Sequence, residues 1–155
     1  MRCSALELRF PPPIIFAVSL LLIGLINWWF PSFRTASTLM SVVSGICFLA
    51  SGIIGLSSLA MFYRQKTTVN PVKVNSATTL VDSGLYAFSR NPMYLALALL
   101  LLSICLWLGN LLSLAGVVLF IGFITRFQII PEERALAEIF GENYQRYCQR
   151  VRRWL

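Results

Sequence analysis

Three apolar blocks, residues 14–30, 38–62 and 93–130, hold one charged side chain between them, Arg126. Nothing else in the chain constrains its fold as strongly. In hydrocarbon a backbone must satisfy its N–H and C=O groups internally, so blocks of this kind resolve into helices. At 1.5 Å per residue, about 17–19 residues cover on the order of 27 Å, enough to cross a bilayer core. Residues 14–30 predict one span, closed by Trp28-Trp29 in the manner of an interfacial aromatic belt. No small-x-small cleavage site follows it, so it is read as a retained span rather than a signal peptide. Residues 38–62 predict a second, with Gly45, Gly52 and Gly55 at near-helical spacing to let a neighbouring helix approach. Gly109-Asn110 divides the third block into about 16 and about 20 residues, which predicts two helices in a tight hairpin.

The composition agrees: 57% hydrophobic and 12% charged, about half the charged share of a soluble domain. The expected fold class is therefore an all-α integral membrane protein with about four transmembrane helices. Two parts are expected, residues 1–62 with the first two spans and residues 63–155 as a core. That core comprises a loop to residue 92, the hairpin 93–130 and a C-terminal helix over 131–150. In that helix Leu136, Phe140, Tyr144, Tyr147 and Val151 share one face, and Glu142 and Arg146 form a supporting pair.

With four spans the N-terminus, the 63–92 loop and the tail share one side, which carries nearly all the Lys and Arg. The other side has Arg34 alone in its loops. The positive-inside rule makes the basic side, with both termini, cytoplasmic. The expected location is a membrane, the inner one if the source is bacterial. The net charge of +7 is explained by anionic lipid, so no nucleic-acid partner is expected. Histidine is absent and the four cysteines have no CxxC spacing, so no metal site and no disulfide framework are expected.

Two polar clusters stand out. One runs from Leu80 to Tyr94, where Asp82-Ser83-Gly84 reads as a turn and Asn91-Pro92 as a helix start capped by Asn91. The other holds Arg126, Gln128, Glu132 and Glu133. A hairpin places the start of its first arm beside the end of its second, so the clusters meet at one membrane boundary. Taken singly each has a plain explanation: aromatics at headgroup level, and acids at the positive end of a helix dipole. Their joint placement favours a site.

The pattern T-L-V-x-S-G-x-Y-x-x-x-R-N-P-M-Y, followed after the hairpin by P-E-E-R-x-L-x-x-x-F-G-E-x-Y-x-x-Y, resembles the isoprenylcysteine carboxyl methyltransferase and phospholipid methyltransferase family of integral membrane enzymes, in a small bacterial-type form. The resemblance covers residues 64–153. It implies methyl transfer from S-adenosyl-L-methionine, with S-adenosyl-L-homocysteine as product, to a lipid or hydrophobic small molecule entering from the bilayer. The cofactor positions it implies are Thr78, Thr79, Leu80, Val81, Tyr86, Asn91, Pro92, Met93, Tyr94 and Glu132, with Arg90, Arg126 and Glu133 as catalytic candidates. A carboxylate suits the cofactor's ammonium group, and tyrosine faces suit adenine or the sulfonium. The chain departs from the prenylcysteine enzymes at Asn91, where they have His. It departs again at Gln128, where they carry an arginine facing the substrate carboxylate; the nearest arginine here, Arg126, is about 200° round the helix. The acceptor is left open between a lipid amine, a thiol and a carboxylate bound by Arg126. Oligomerisation is permitted by the Gly/Ser-rich second helix and is not predicted. Two readings of other classes remain, a small four-helix transporter and a non-catalytic membrane scaffold of the same fold.

Overall fold

A computed structural model describes residues 7–8, 10–35, 37–64 and 80–155. Among the described residues six α-helices follow one another: α1 (Pro12–Trp29), α2 (Thr38–Arg64), α3 (Pro92–Leu108), α4 (Leu114–Ile124), α5 (Ile130–Phe140) and α6 (Glu142–Arg150). A π turn over Thr125–Ile129 joins α4 to α5, so the chain is helical from Leu111 to Phe140 without interruption. Among the described residues three helical stretches are long and apolar enough to cross a membrane: Pro12–Trp29, Thr38–Met61 and Leu111–Phe140. The expected fourth, α3, is apolar but has only 17 residues.

α3 is the centre of the bundle. It packs against α2, α4 and α1, and α1 also lies along α4. The shared core contains Ile15 and Ile23 from α1, Leu101 and Cys105 from α3, and Phe120 and Ile124 from α4. Residues from both expected parts of the chain thus enter one core. Leu21, Ile46, Leu49, Val118 and Leu119 face outward and exposed, as lipid-facing side chains must.

The α2–α3 contact corrects the expectation about small residues. A side chain at Gly45 or Gly52 would meet open space; of the three glycines only Gly55 sits against a neighbour, Ala96. The contact face instead carries Ser44, Ser51 and Ser58, all buried and seven residues apart. Ser44 donates to the Ser103 carbonyl at 2.8 Å and Ser51 to the Ala96 carbonyl at 2.7 Å. In hydrocarbon, where the hydrophobic effect does not pull helices together, such bonds help to set packing.

At one end of the α3–α4 hairpin Gly109 takes φ 67, and a Cβ there would lie 2.6 Å from the Thr35 carbonyl oxygen. The Thr35 N–H donates to the Gly109 carbonyl at 2.7 Å. The Asn110 side chain accepts from Leu112 N–H at 3.1 Å and donates to the Phe30 carbonyl at 2.9 Å. One amide thereby caps the next turn and ties in the end of α1. The other end of the hairpin carries the candidate site.

Candidate functional site

Pro92 opens α3 as expected, but Asn91 does not cap it. The Asn91 side chain donates to the Arg153 carbonyl at 3.0 Å, while the Ser89 hydroxyl accepts the Asn91 N–H at 3.2 Å. Upstream, Gly84 takes φ 59 against the end of α2, where a Cβ would lie 2.7 Å from Met61 Cε. The turn Gly84–Ala87 that follows buries Tyr86.

Tyr94, two residues into α3, reaches across the hairpin. Its hydroxyl donates to Glu132 Oε1 at 2.6 Å, and Gln128 Nε2 donates to the same oxygen at 2.7 Å. Both donors are buried and neutral. Among the described residues no cation lies within ion-pair distance of Glu132. Its neighbour differs. Glu133 accepts from Arg153 Nε at 3.0 Å and from its Nη2 at 2.7 Å, and meets one arm of Arg90 at 3.2 Å. Two adjacent carboxylates thus have opposite surroundings, one doubly neutralised and one held only by neutral hydrogen bonds.

Arg90 is itself unevenly satisfied. One of its terminal nitrogens meets Glu133 and another meets Cys148 Sγ. Its Nε is buried with no acceptor among the described residues. Its backbone N–H donates to the Arg152 carbonyl at 3.0 Å. Hydrogen bonding to Glu133 raises the pKa of the Arg153 guanidinium.

The amphipathic face of the tail packs as the periodicity requires. Tyr144, Tyr147 and Val151 are buried together with Leu80, Leu136 and Phe140. The helix nevertheless breaks at Gly141, with φ 50 and ψ −124, so the expected single helix is the pair α5 and α6. The expected Glu142–Arg146 pair does not form; Arg146 donates to Asn143 Oδ1 at 2.8 Å. Tyr147 donates to the Tyr86 carbonyl at 2.7 Å, fastening α6 to the loop. Burial, first of all, holds the phenols of Tyr86, Tyr144 and Tyr147 well above the ordinary tyrosine range. A cleft of about 560 Å³ lies on the outer side of α6, between Leu80, Asp82, Asn143, Arg146, Gln149 and Arg150. Leu80 alone among the sequence-predicted site residues lines it.

The hairpin therefore brings two hydrogen-bonded groups side by side through the adjacent Glu132 and Glu133, Tyr94 with Glu132 and Arg90 with Glu133, with Asn91 and Pro92 at their edge. Val81 and Tyr86 are buried nearby in the loop, and Met93 follows Pro92 on α3. Thr78 and Thr79 lie outside the described residues. Arg126 is not brought to the cluster. It is half-exposed, pairs with Glu7 at 3.1 Å and lies over the Phe127 ring. The sequence reading missed Arg153 and Trp154. Trp154 donates to the Thr125 hydroxyl at 3.2 Å. Both follow the amphipathic face with no spacing that announces them.

Residues 39–143 match the phospholipid methyltransferase family. The chain belongs to that family. The family is that of the membrane phospholipid and isoprenylcysteine methyltransferases. Among curated proteins it is 30% identical over 130 residues to the protein-S-isoprenylcysteine O-methyltransferase of Schizosaccharomyces pombe, covering 82% of this chain and 51% of that one. The chain therefore spans about half the length of the yeast enzyme. It is 56% identical over 63 residues to an uncharacterised protein of Haemophilus influenzae, 41% of this chain and all of that one. No solved structure matches it.

Proposed function

We propose that this family member transfers a methyl group from S-adenosyl-L-methionine to a lipid-like or hydrophobic acceptor at the membrane face that carries Glu132. The observation that carries the reading is the contrast between the two carboxylates. Glu133 is satisfied within the chain, whereas Glu132 has acceptor capacity and no cation among the described residues. A half-buried carboxylate without a counter-charge is costly unless a ligand supplies one.

The residues fit the cofactor on two counts. Glu132 offers an anion to an ammonium group, and Arg90 Nε offers a buried donor that lacks an acceptor among the described residues. An amino-acid moiety, with its ammonium and carboxylate, matches both. Tyr94, Glu132 and Arg90 would hold that moiety, with Tyr86 and the Leu80–Val81 segment beside it. When bound, the cofactor supplies a methyl group activated on a sulfonium. Displacement at that carbon needs alignment and exclusion of water more than covalent help. Tyr94 and Gln128 both hold Glu132 Oε1, so the carboxylate cannot swing away. Arg153 and Arg90 hold Glu133 and tie down the start of α3 through Asn91 and the Arg90 backbone. Tyr94 belongs to the apolar core of the bundle as well as to the polar cluster, which suits an acceptor that is itself hydrophobic.

The test is calorimetric titration of the purified chain with S-adenosyl-L-homocysteine, followed by incubation with labelled cofactor and a total lipid extract. Micromolar binding and label in a lipid-soluble product are expected. Well-folded protein that does not bind would overturn the reading. Binding without transfer to any acceptor would favour the scaffold reading.

A further inference from the structure

The Leu111–Phe140 stretch contains a feature that the proposed chemistry does not use by itself, the π turn at Thr125–Ile129. It is real in bonding terms, since the Ile130 N–H donates to Thr125 O, five residues back. Its cause is visible in the sequence. Pro131 has no N–H for the carbonyl of Phe127, four residues earlier, and its ring would press on that carbonyl. A helix relieves such a conflict by widening a turn. The freed Phe127 carbonyl does not go unpaired: the Leu8 N–H donates to it at 3.0 Å.

The same N-terminal segment makes a second contact across the turn. Glu7 has a buried carboxylate that accepts from Arg126 at 3.1 Å through one oxygen and from Arg134 at 2.8 Å through the other. Eight residues of regular α-helix would set Arg134 about 80° round the axis from Arg126. A π turn absorbs one residue, leaving the equivalent of seven, which brings the two within about 20° of one line. The π register therefore puts both arginines on the line that Glu7 faces, where it grips them together. Leu8 adds a third observation. It is a branched residue at φ 54, in the left-handed region. Such strain persists where surrounding contacts demand it.

Gln128 lies inside the π turn and Glu132 one residue beyond Pro131, so the register of this turn decides how both meet Tyr94. We propose that Glu7 is a positioning residue. With the Leu8 N–H it clamps the π turn from the N-terminal side and so aims Gln128 and Glu132 at Tyr94. Trp154 on Thr125 holds the same turn from the C-terminal side. Both clamps come from outside residues 39–143, the part that matches the family. The inference deepens the methyltransferase reading and rests on it for its meaning, but the clamp itself can be measured without cofactor.

The experiment is hydrogen–deuterium exchange of the full chain in lipid nanodiscs, without cofactor. It compares wild type, Glu7→Gln, Glu7→Arg and the exchange pair Glu7→Arg with Arg134→Glu. Calorimetric binding of S-adenosyl-L-homocysteine is measured in parallel. Glu7→Gln is expected to speed exchange about tenfold in peptides covering residues 124–135 and to leave α2 and α3 unchanged. It should weaken binding by about tenfold, as displacement of an aligned group does. Glu7→Arg should be worse, and the exchange pair should recover most of both losses. Unchanged exchange over 124–135 would overturn the clamp. So would faster exchange spread evenly over the chain with no recovery in the exchange pair, which is the mark of a merely structural residue. If wild type fails to bind, the methyltransferase reading falls, and the exchange pattern still decides the clamp.

Discussion

The two ends of the α3–α4 hairpin solve the same problem in opposite ways. At the Gly109–Asn110 end a chain reversal is closed with neutral groups. One glycine in the left-handed region, one asparagine side chain and the Thr35 backbone satisfy every bond described there, and Arg34 donates to Asn27 beside them. At the Tyr94–Glu132 end two carboxylates and two guanidiniums crowd together, and among the described residues Glu132 has no cation and Arg90 Nε no acceptor. The first end needs nothing from outside. The second is arranged as though a charged partner belongs to it. The contrast separates residues that hold a turn from residues that hold a ligand.

Substitutions at the two ends should therefore fail differently. The largest effect is expected for Glu132→Gln. Methyl transfer should fall by about a hundredfold or more, with S-adenosyl-L-homocysteine affinity down at least about tenfold and the melting temperature in detergent little changed. Asn110→Ala should show the reverse, a loss of about 1–3 kcal/mol of stability from one cap and one inter-helix bond, with affinity per folded molecule unchanged. A fall in affinity there would erase the distinction. Arg153→Ala falls between. Glu133 keeps Arg90, so the stability loss should be about 1 kcal/mol for a partly exposed pair, while affinity falls several-fold because Glu133 and the start of α3 loosen together. The smallest effect is spectroscopic. Tyr86, Tyr144 and Tyr147 are held protonated by burial, so ultraviolet titration should show them silent near pH 10, where an ordinary phenol ionises. Because their folded pKa values are raised, the stabilisation is complete below about pH 10 and is lost as pH climbs above it.

Much of the fold was legible because lack of charge is a signal that neighbours cannot disguise. The blocks at 14–30 and 38–62 and the hairpin break at Gly109-Asn110 appear where the sequence puts them. The meeting of Tyr94 with Glu132 followed from the hairpin alone. What stayed hidden depended on partners far apart in the chain. Arg153 finds Glu133 20 residues away, and Arg134 finds Glu7 127 residues away; no local period marks either. Two misses did have a signal. Pro131 inside a continuous apolar-to-polar helix announces a widened turn, yet it reads at first as the start of a separate tail. Ser44, Ser51 and Ser58 stand at a strict seven-residue interval, but the glycines beside them draw the eye, and only the structure shows which face meets α3.

That serine series has a consequence beyond packing. Its first two members grip α3 carbonyls deep in the bundle, and its third, Ser58, is buried near the far end of α2, where its hydroxyl donates to the Ile54 carbonyl of the same helix at 2.6 Å. α2 thus acts as a ruler laid along α3, with its last graduation at the candidate site. Sliding that ruler by a single turn would unpair both α3 marks at once, and because the Gly84–Ala87 turn packs on Met61 at the end of α2, the height of Tyr86 is measured off from the middle of the bundle.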